Sequence, residues 1–347
     1  MSSTVQKNSE LLYLYDAVLC NPNGDPDEEN KPRMDYDTRR NLVSDVRFKR
    51  YLRDYWLTFD EEEWRRLGYD KQDVWVREVE DQTGLPRPVS AKQRIETLAK
   101  EFGARSATEV FRNPEFLSWL CQRMVDIRFF GAAITIGGKS RGRNDTQDSG
   151  EEKKGDSLQL TGPVQFSWGY SLNKADILSS TISSRFSGRD QGEKGKYGTF
   201  GKDYRVKFSL LAFYGVVNAT RAGKTLLTER DVLLLDYSLI TALPLMATTR
   251  SKLGQMPRLY MRVQYKDDLT ILGDFRTGIH LDQQTEPVDI RGVNLSYTGL
   301  LEKLRSACDR IDRIVLWYHP ELPSGSTLHT ALKDEGFTVG DVRPPTV

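Results

Sequence analysis

The sequence predicts an α+β fold, and three observations carry the prediction. Tyr204, Val206, Phe208 and Leu210 alternate with Arg205, Lys207 and Ser209, and Leu259, Met261, Val263 and Tyr265 alternate with Arg258, Tyr260, Arg262 and Gln264. Both runs have the two-residue period of a strand. Between them Thr228 opens a helical stretch through Met246. Near the start, the apolar run Leu11 to Cys20 is followed, after a polar loop, by a helix-patterned segment beginning at Ser44. The order is β-α-β-β, an inserted segment, β, then α-β, which a ferredoxin-like or RRM-like sheet with extra strands would give.

Taken in order, Leu11 to Cys20 reads as a strand and Asn21 to Asn41 as a long loop punctuated by Pro22, Pro26 and Pro32. Ser44 is placed to cap the next helix, its hydroxyl accepting from an early N–H while Asp45 favours the positive end of the dipole. Phe48, Leu52 and Tyr55 then share one face, and Lys49, Arg50 and Arg53 spread over a neighbouring arc that is expected to offer cations. Residues 57–125 are acidic, rich in Trp and helical in pattern, with a capping box expected at Ser90 to Gln93. Asp126 to Ile136 and Leu158 to Leu172 read as strands, joined by a polar connector over residues 137–157 that is expected to be mobile. Residues 173–203 mix Ser, Gly, Lys and Arg with scattered apolar positions, too long and polar for an ordinary connection. The expected divisions are therefore 1–56, 57–125, 126–172, 173–203 and 204–347.

A length of 347 residues suits about two domain-sized units or one enlarged core. With 38% hydrophobic and 29% charged residues, wholesale disorder is excluded. The formal net charge of +1 argues against a uniformly basic coat, so any polynucleotide contact has to use local basic tracks. Cys20, Cys121 and Cys308 lack C-x-x-C spacing and read as reduced thiols. The run Leu11 to Leu19 is broken by Asp16 and is too short to span a bilayer, so no membrane contact and a cytoplasmic location are expected.

Several motifs invite chemistry and fail on spacing. Ala222-Gly223-Lys224-Thr225 looks like part of a P-loop, but Asn218 stands where the first glycine is needed, and a polar turn is expected instead. Asp25, Asp27, Glu28 and Glu29 offer oxygen ligands without the glycine and glutamate of a calcium loop, so no metal and no cofactor are expected. His280, His319 and His329 have no nucleophile beside them in a recognised motif. Two basic clusters are more informative: Lys49, Arg50 and Arg53 on the first helix, and Arg250-Ser251-Lys252-Leu253-Gly254-Gln255 ahead of the strand carrying Arg258 and Arg262. A charge run is usually a solvated face. Two such runs at the edges of a candidate RRM-like sheet point to nucleic acid.

Six ordered blocks carry a resemblance: Asn-Pro-Asn-Gly-Asp-Pro (21–26), Pro-Arg-x-Asp (32–35), Ser-Asp-Val-Arg-x-Lys-Arg (44–50), Asp-Ile-Arg-Phe-Phe-Gly-Ala (126–132), Leu-Thr-Gly-Pro-Val-Gln-Phe (160–166) and Arg-Ser-Lys-x-Gly-Gln-x-Pro-Arg (250–258). Together they resemble the major backbone subunit of type I CRISPR Cascade, in the I-B and I-C branch of the RAMP superfamily. The likeness runs over about residues 10–270. It implies an RRM-like palm, a helical finger insertion and a protruding thumb hairpin. It also implies a non-catalytic role: copies polymerise along a CRISPR RNA, which then pairs with target DNA. The other Cascade subunits and a recruited nuclease-helicase, or transposition proteins, are the further partners implied. On this resemblance the RNA contacts map onto Asn21, Asn23, Arg33, Lys49, Arg50, Arg53 and Gln165, and onto Arg250, Ser251, Lys252 and Gln255. Residues 173–203 become the thumb, with Phe186, Tyr197 and Phe200 as candidate wedges between bases and Lys194 and Lys196 as phosphate contacts. The rival expectation is a metal-dependent ribonuclease of the type III backbone kind, using a loop aspartate such as Asp25 or Asp35.

Overall fold

The computed structural model describes residues 2–80, 86–110, 113–136, 156–183, 200–282 and 286–345. Most of connector 137–157, together with Phe186, Lys194, Lys196 and Tyr197, lies outside the described residues. The main strands are β1 (Ser9–Cys20), β2 (Arg40–Val43), β3 (Gly131–Ile136), β4 (Asp156–Thr161), β5 (Gly169–Ser171), β6 (Ile177–Ser183), β7 (Phe200–Val217), β8 (Gln255–Tyr265), β9 (Ile311–Tyr318) and β10 (Val339–Asp341). The main helices are α1 (Asp45–Trp56), α2 (Glu61–Arg66), α3 (Ala91–Phe102), α4 (Pro114–Arg123), α5 (Val125–Phe130), α6 (Glu229–Met246), α7 (Thr298–Arg305) and α8 (Pro323–Asp334).

A central sheet runs in the order β10-β9-β8-β1-β7-β5-β2, parallel between β9 and β10 and antiparallel elsewhere along that path. Its middle four strands, β8-β1-β7-β5, are joined through α1 and α6. Side chains of β1 alternate between the two faces. Tyr13 and Tyr15 join the core under α1 and α6, while Leu12 and Leu14 join the core under α7 and α8. β1 is therefore buried on both sides.

Ser44 caps α1 as its position predicts, accepting from Arg47 N at 3.2 Å. Such a cap stabilises a helix by about 1 kcal/mol. Phe48 stacks on Phe213 with centroids 4.4 Å apart and meets Phe166 edge-on at 5.0 Å. Trp56 Nε1 donates to Ser238 Oγ at 2.9 Å, locking α1 to α6. In α6 the reciprocal box between Thr228 and Asp231 fixes the start.

Residues 57–125 do form helices, and α3 has the expected box between Ser90 and Gln93. Two strand expectations need correction. Val125–Phe130 is a helix with every residue buried, and only Gly131–Ile136 is a strand. Charged Asp126 and Arg128 alternate with apolar Val125, Ile127 and Phe129, which has the two-residue period of a strand; both charges are instead buried in ion pairs, with Arg53 and Asp231. Gly131 makes the turn between them at φ 78°, where an added Cβ would lie 2.0 Å from Leu160 O. Secondly, the stretch from Leu158 to Leu172 is three short strands, Asp156–Thr161, Val164–Phe166 and Gly169–Ser171. β3 and β4 pair only with each other, and Ile134, Leu158 and Leu160 pack with Ile95, Leu98 and Leu120 of the helical insertion.

Ala222 to Thr225, expected as a polar turn, lie in a short helix, Ala219–Thr225, capped by Asn218. β7 is much longer than its alternating stretch implied: it pairs with β6 over Phe200–Val206 and with β1 from Val206 to Val217. Residues beyond 280, where no pattern was recognised, supply α7, β9, α8 and β10 and cover one face of the sheet.

Candidate nucleic-acid interface

The loop after β1 is held by its own polar side chains. Asn21 is buried; its amide Nδ2 donates to Asn30 O at 2.7 Å and its backbone N to Ser251 O at 2.7 Å. Asn23 Oδ1 accepts from both the N–H and the hydroxyl of Ser44, at 2.9 and 3.0 Å. These asparagines shape the loop and fix it to the start of α1 and to the 250–255 turn. Arg33 pairs with Asp25 at 2.8 Å and lies over the Trp168 ring.

The cations expected to line α1 are committed inward or to neighbours, which corrects the picture of an open basic arc. Lys49 is only 8% exposed, and its ammonium donates to Asp45 at 3.1 Å and to Gln165 Oε1 at 2.9 Å. Gln165 is itself anchored to Phe130 O and Gly162 O. Arg53 pairs with the buried Asp126 at 2.8 Å, and Asp126 also accepts from Trp75 N and Val76 N. The helical insertion packs over this arc. Arg50 keeps a half-exposed side chain, paired with Asp54 at 2.6 Å. In β8, Arg258 is buried against Asp16 and Glu321, and Arg262 against Asp236, so neither is an open surface cation.

Beside this loop, Arg47 and Lys252 have no acid within ion-pair distance among the described residues. Arg47, in the first turn of α1, sits 4.1 Å from the centroid of the Tyr51 ring, and its buried Nε has no hydrogen-bond partner. Lys252 donates to Asn21 O at 2.6 Å and reaches Pro22 O at 3.4 Å. Gln255 bridges the two elements, donating to Tyr51 hydroxyl and to Lys252 O, both at 2.9 Å. Burial, reinforced by the Arg47 charge, pushes the Lys252 ammonium down to about 8. Arg250 is mostly exposed and faces Asp203 at 3.2 Å. Burial pushes the neighbouring Cys20 thiol up to about 12, making it a packing group.

Like charges brought together without a carboxylate suit an anion. Of the expected residues, the structure gathers Asn21, Ser251, Lys252 and Gln255 at this place and sets Lys49, Arg53 and Gln165 apart as structural partners. Arg47 and Tyr51 were missed. Their spacing of four on a helix puts a guanidinium over a ring, a pairing readable in the sequence. Phe200 is the first residue of β7.

Because Lys252 releases its proton near pH 8, an anion at this site should draw the proton back. Binding of a single-stranded polynucleotide is then expected to weaken as pH rises above about 8, by up to about tenfold per unit. Lys252→Arg should remove that dependence, because a guanidinium stays charged. Titrations at pH 7 to 9.5 test it; a flat profile for the unaltered chain refutes the linkage.

Comparison with known proteins bears on the same region. A profile of the family described as CRISPR-associated protein Cas7 matches residues 7–294. The chain is also 32% identical over 322 residues to the CRISPR-associated protein Cas7 of Haloferax volcanii, covering 90% of this chain and 86% of that protein. The chain belongs to the Cas7 family. A solved chain from a CRISPR RNA-guided surveillance complex, pre-nicking, shares the fold at a TM-score of 0.50 and 14% identity, over 97% of each chain. The family match spans β1 to β8, and so includes both halves of the Arg47 and Lys252 site. Among the described residues no helix is long and apolar enough to cross a membrane.

Proposed function

We propose that this Cas7-family chain is a non-catalytic backbone subunit that binds CRISPR RNA, polymerises along it with other copies, and presents it for pairing with target DNA. Other Cascade subunits and a recruited nuclease-helicase, or transposition proteins, complete the assembly, in the cytoplasm. β8-β1-β7-β5 with α1 and α6 serves as an RRM-like palm, since four antiparallel strands with two crossover helices have that connectivity. The helices of 57–125 act as the finger, joined by the β3–β4 hairpin that packs on them. β6 and the outer part of β7 form the base of the thumb.

The observation that carries this reading is the pairing of Arg47 and Lys252, two cations without a carboxylate, at the mouth of the loop that the family profile covers. Contacts of this kind neutralise phosphates and leave base edges free, as a guide of any sequence requires. The ribonuclease reading fits less well. Asp25 is held by Arg33 and by Asp27 N, and Asp35 accepts from Thr38 and Asp37, which keeps its carboxyl below the usual range.

Protein purified from its host is expected to carry RNA, seen as a raised ultraviolet absorbance ratio, and to bind single strands of different sequence with closely similar affinity. Magnesium and complementary RNA should give no periodic cleavage. Nucleic-acid-free native protein, or cuts at regular spacing, would contradict the assignment.

A further inference from the structure

Two leucines lie exposed at the end of the central sheet, where the turn carrying Lys252 enters β8. Leu19, the penultimate residue of β1, is 53% exposed, and Leu253, in the turn before β8, is 66% exposed. Val18 N donates to Gly254 O at 2.8 Å, so the two residues sit on adjacent chains at the same level. Leu19 itself, and Gly254 beside Leu253, stand on unusual backbone. Leu19 has φ 48°, in the left-handed region that residues other than glycine and asparagine seldom occupy. Gly254, next to Leu253, has φ 115°, and a Cβ there would lie 2.3 Å from Val18 O. The surroundings enforce this conformation. Arg205 donates to Leu19 O at 2.8 Å, and Lys252 holds the carbonyls of Asn21 and Pro22 just beyond.

Strained backbone persists where structure over-determines it, and it collects at functional sites. Here the result is two solvent-facing apolar side chains beside two cations that lack an acid. A protein partner suited to those cations would have to bring carboxylates, whereas a polynucleotide brings phosphate and apolar base or ribose faces in one strand. We propose that Leu19 and Leu253 form an apolar step on which a base face of the bound single strand rests, next to the phosphate held by Arg47 and Lys252. The proposal rests on the RNA-binding reading. Contact with a face reads no hydrogen-bonding edge, so the step is indifferent to sequence.

The test is Leu19→Asn with Leu253→Ser, substitutions at exposed positions, the first of which suits a left-handed backbone. Binding of a single-stranded RNA is measured against salt concentration for this variant, the unaltered chain, and Arg47→Ala with Lys252→Ala. The leucine variant should lose about tenfold or more in affinity at every salt concentration, with the slope unchanged, because burying leucine releases no counterions. Replacing the strand by an abasic one of equal length should cost the leucine variant less than the unaltered chain. Unchanged affinity of the leucine variant, or a changed slope, overturns the step while leaving RNA binding intact. An unaltered chain that binds no RNA at all overturns both the step and the reading beneath it.

Discussion

Arg47→Ala combined with Lys252→Ala is expected to lower affinity for single-stranded RNA about a hundredfold, and to flatten the salt dependence by about 1.4 in logarithmic slope. The affinity estimate takes each charged hydrogen bond to phosphate at about 1.5 kcal/mol. The slope follows because each neutralised phosphate on a single strand contributes about 0.7. Neither cation has a carboxylate to lose among the described residues, so no orphaned buried acid is left behind. Lys252 does hold two loop carbonyls, and a thermal melt of the variant therefore accompanies the binding curve. A normal melt with an unaltered slope would show that phosphate does not lie here.

Arg53→Ala is expected to act on stability instead, by about 3 kcal/mol. Asp126 is 1% exposed and takes three donors: the Arg53 guanidinium and the N–H groups of Trp75 and Val76. Removing the guanidinium strands a buried carboxylate between α1 and the helical insertion, and such a break is far costlier than losing a surface pair. Arg50→Ala is the contrast, because the Arg50 and Asp54 side chains are 43% and 30% exposed, and its change should stay within about 1 kcal/mol. Urea unfolding of both variants decides the matter. Equal midpoints for the two would refute the structural role of Arg53.

This division also shows what could be read in the sequence. Alternation located β7 and β8, and cap residues located the starts of α1, α3 and α6, because both signals are local. Lys49, Arg50 and Arg53 were placed on the correct arc of α1, and the Asp45 and Asp54 partners of Lys49 and Arg50 are local, yet what closes over Lys49 and Arg53 comes from Gln165 and Asp126, 116 and 73 positions away in the chain. Periodicity says which residues share a face; it is silent on what covers that face. The buried α5 was hidden because Asp126 and Arg128 alternate with apolar residues as in a strand, while their partners Arg53 and Asp231 come from other elements. Arg258 and Arg262 looked like a basic strand face, but each meets a buried aspartate from a distant element. The C-terminal residues were opaque because β9 is defined by pairing onto β8 and β10 by pairing onto β9, and not by motifs of their own.

The outer ribbon and the heart of the sheet are continuous along β7, with the handover from β6 to β1 at Val206 and no bend required between them. Side chains on a pleated strand alternate sides, so one residue added near this handover would turn every outward position of the ribbon to its opposite side. Lengthening that keeps each side chain on its side therefore proceeds in steps of two unless a bulge absorbs the extra residue. A variant with a single inserted residue there should keep its fold while turning the side chains of β6 and outer β7 to the opposite side.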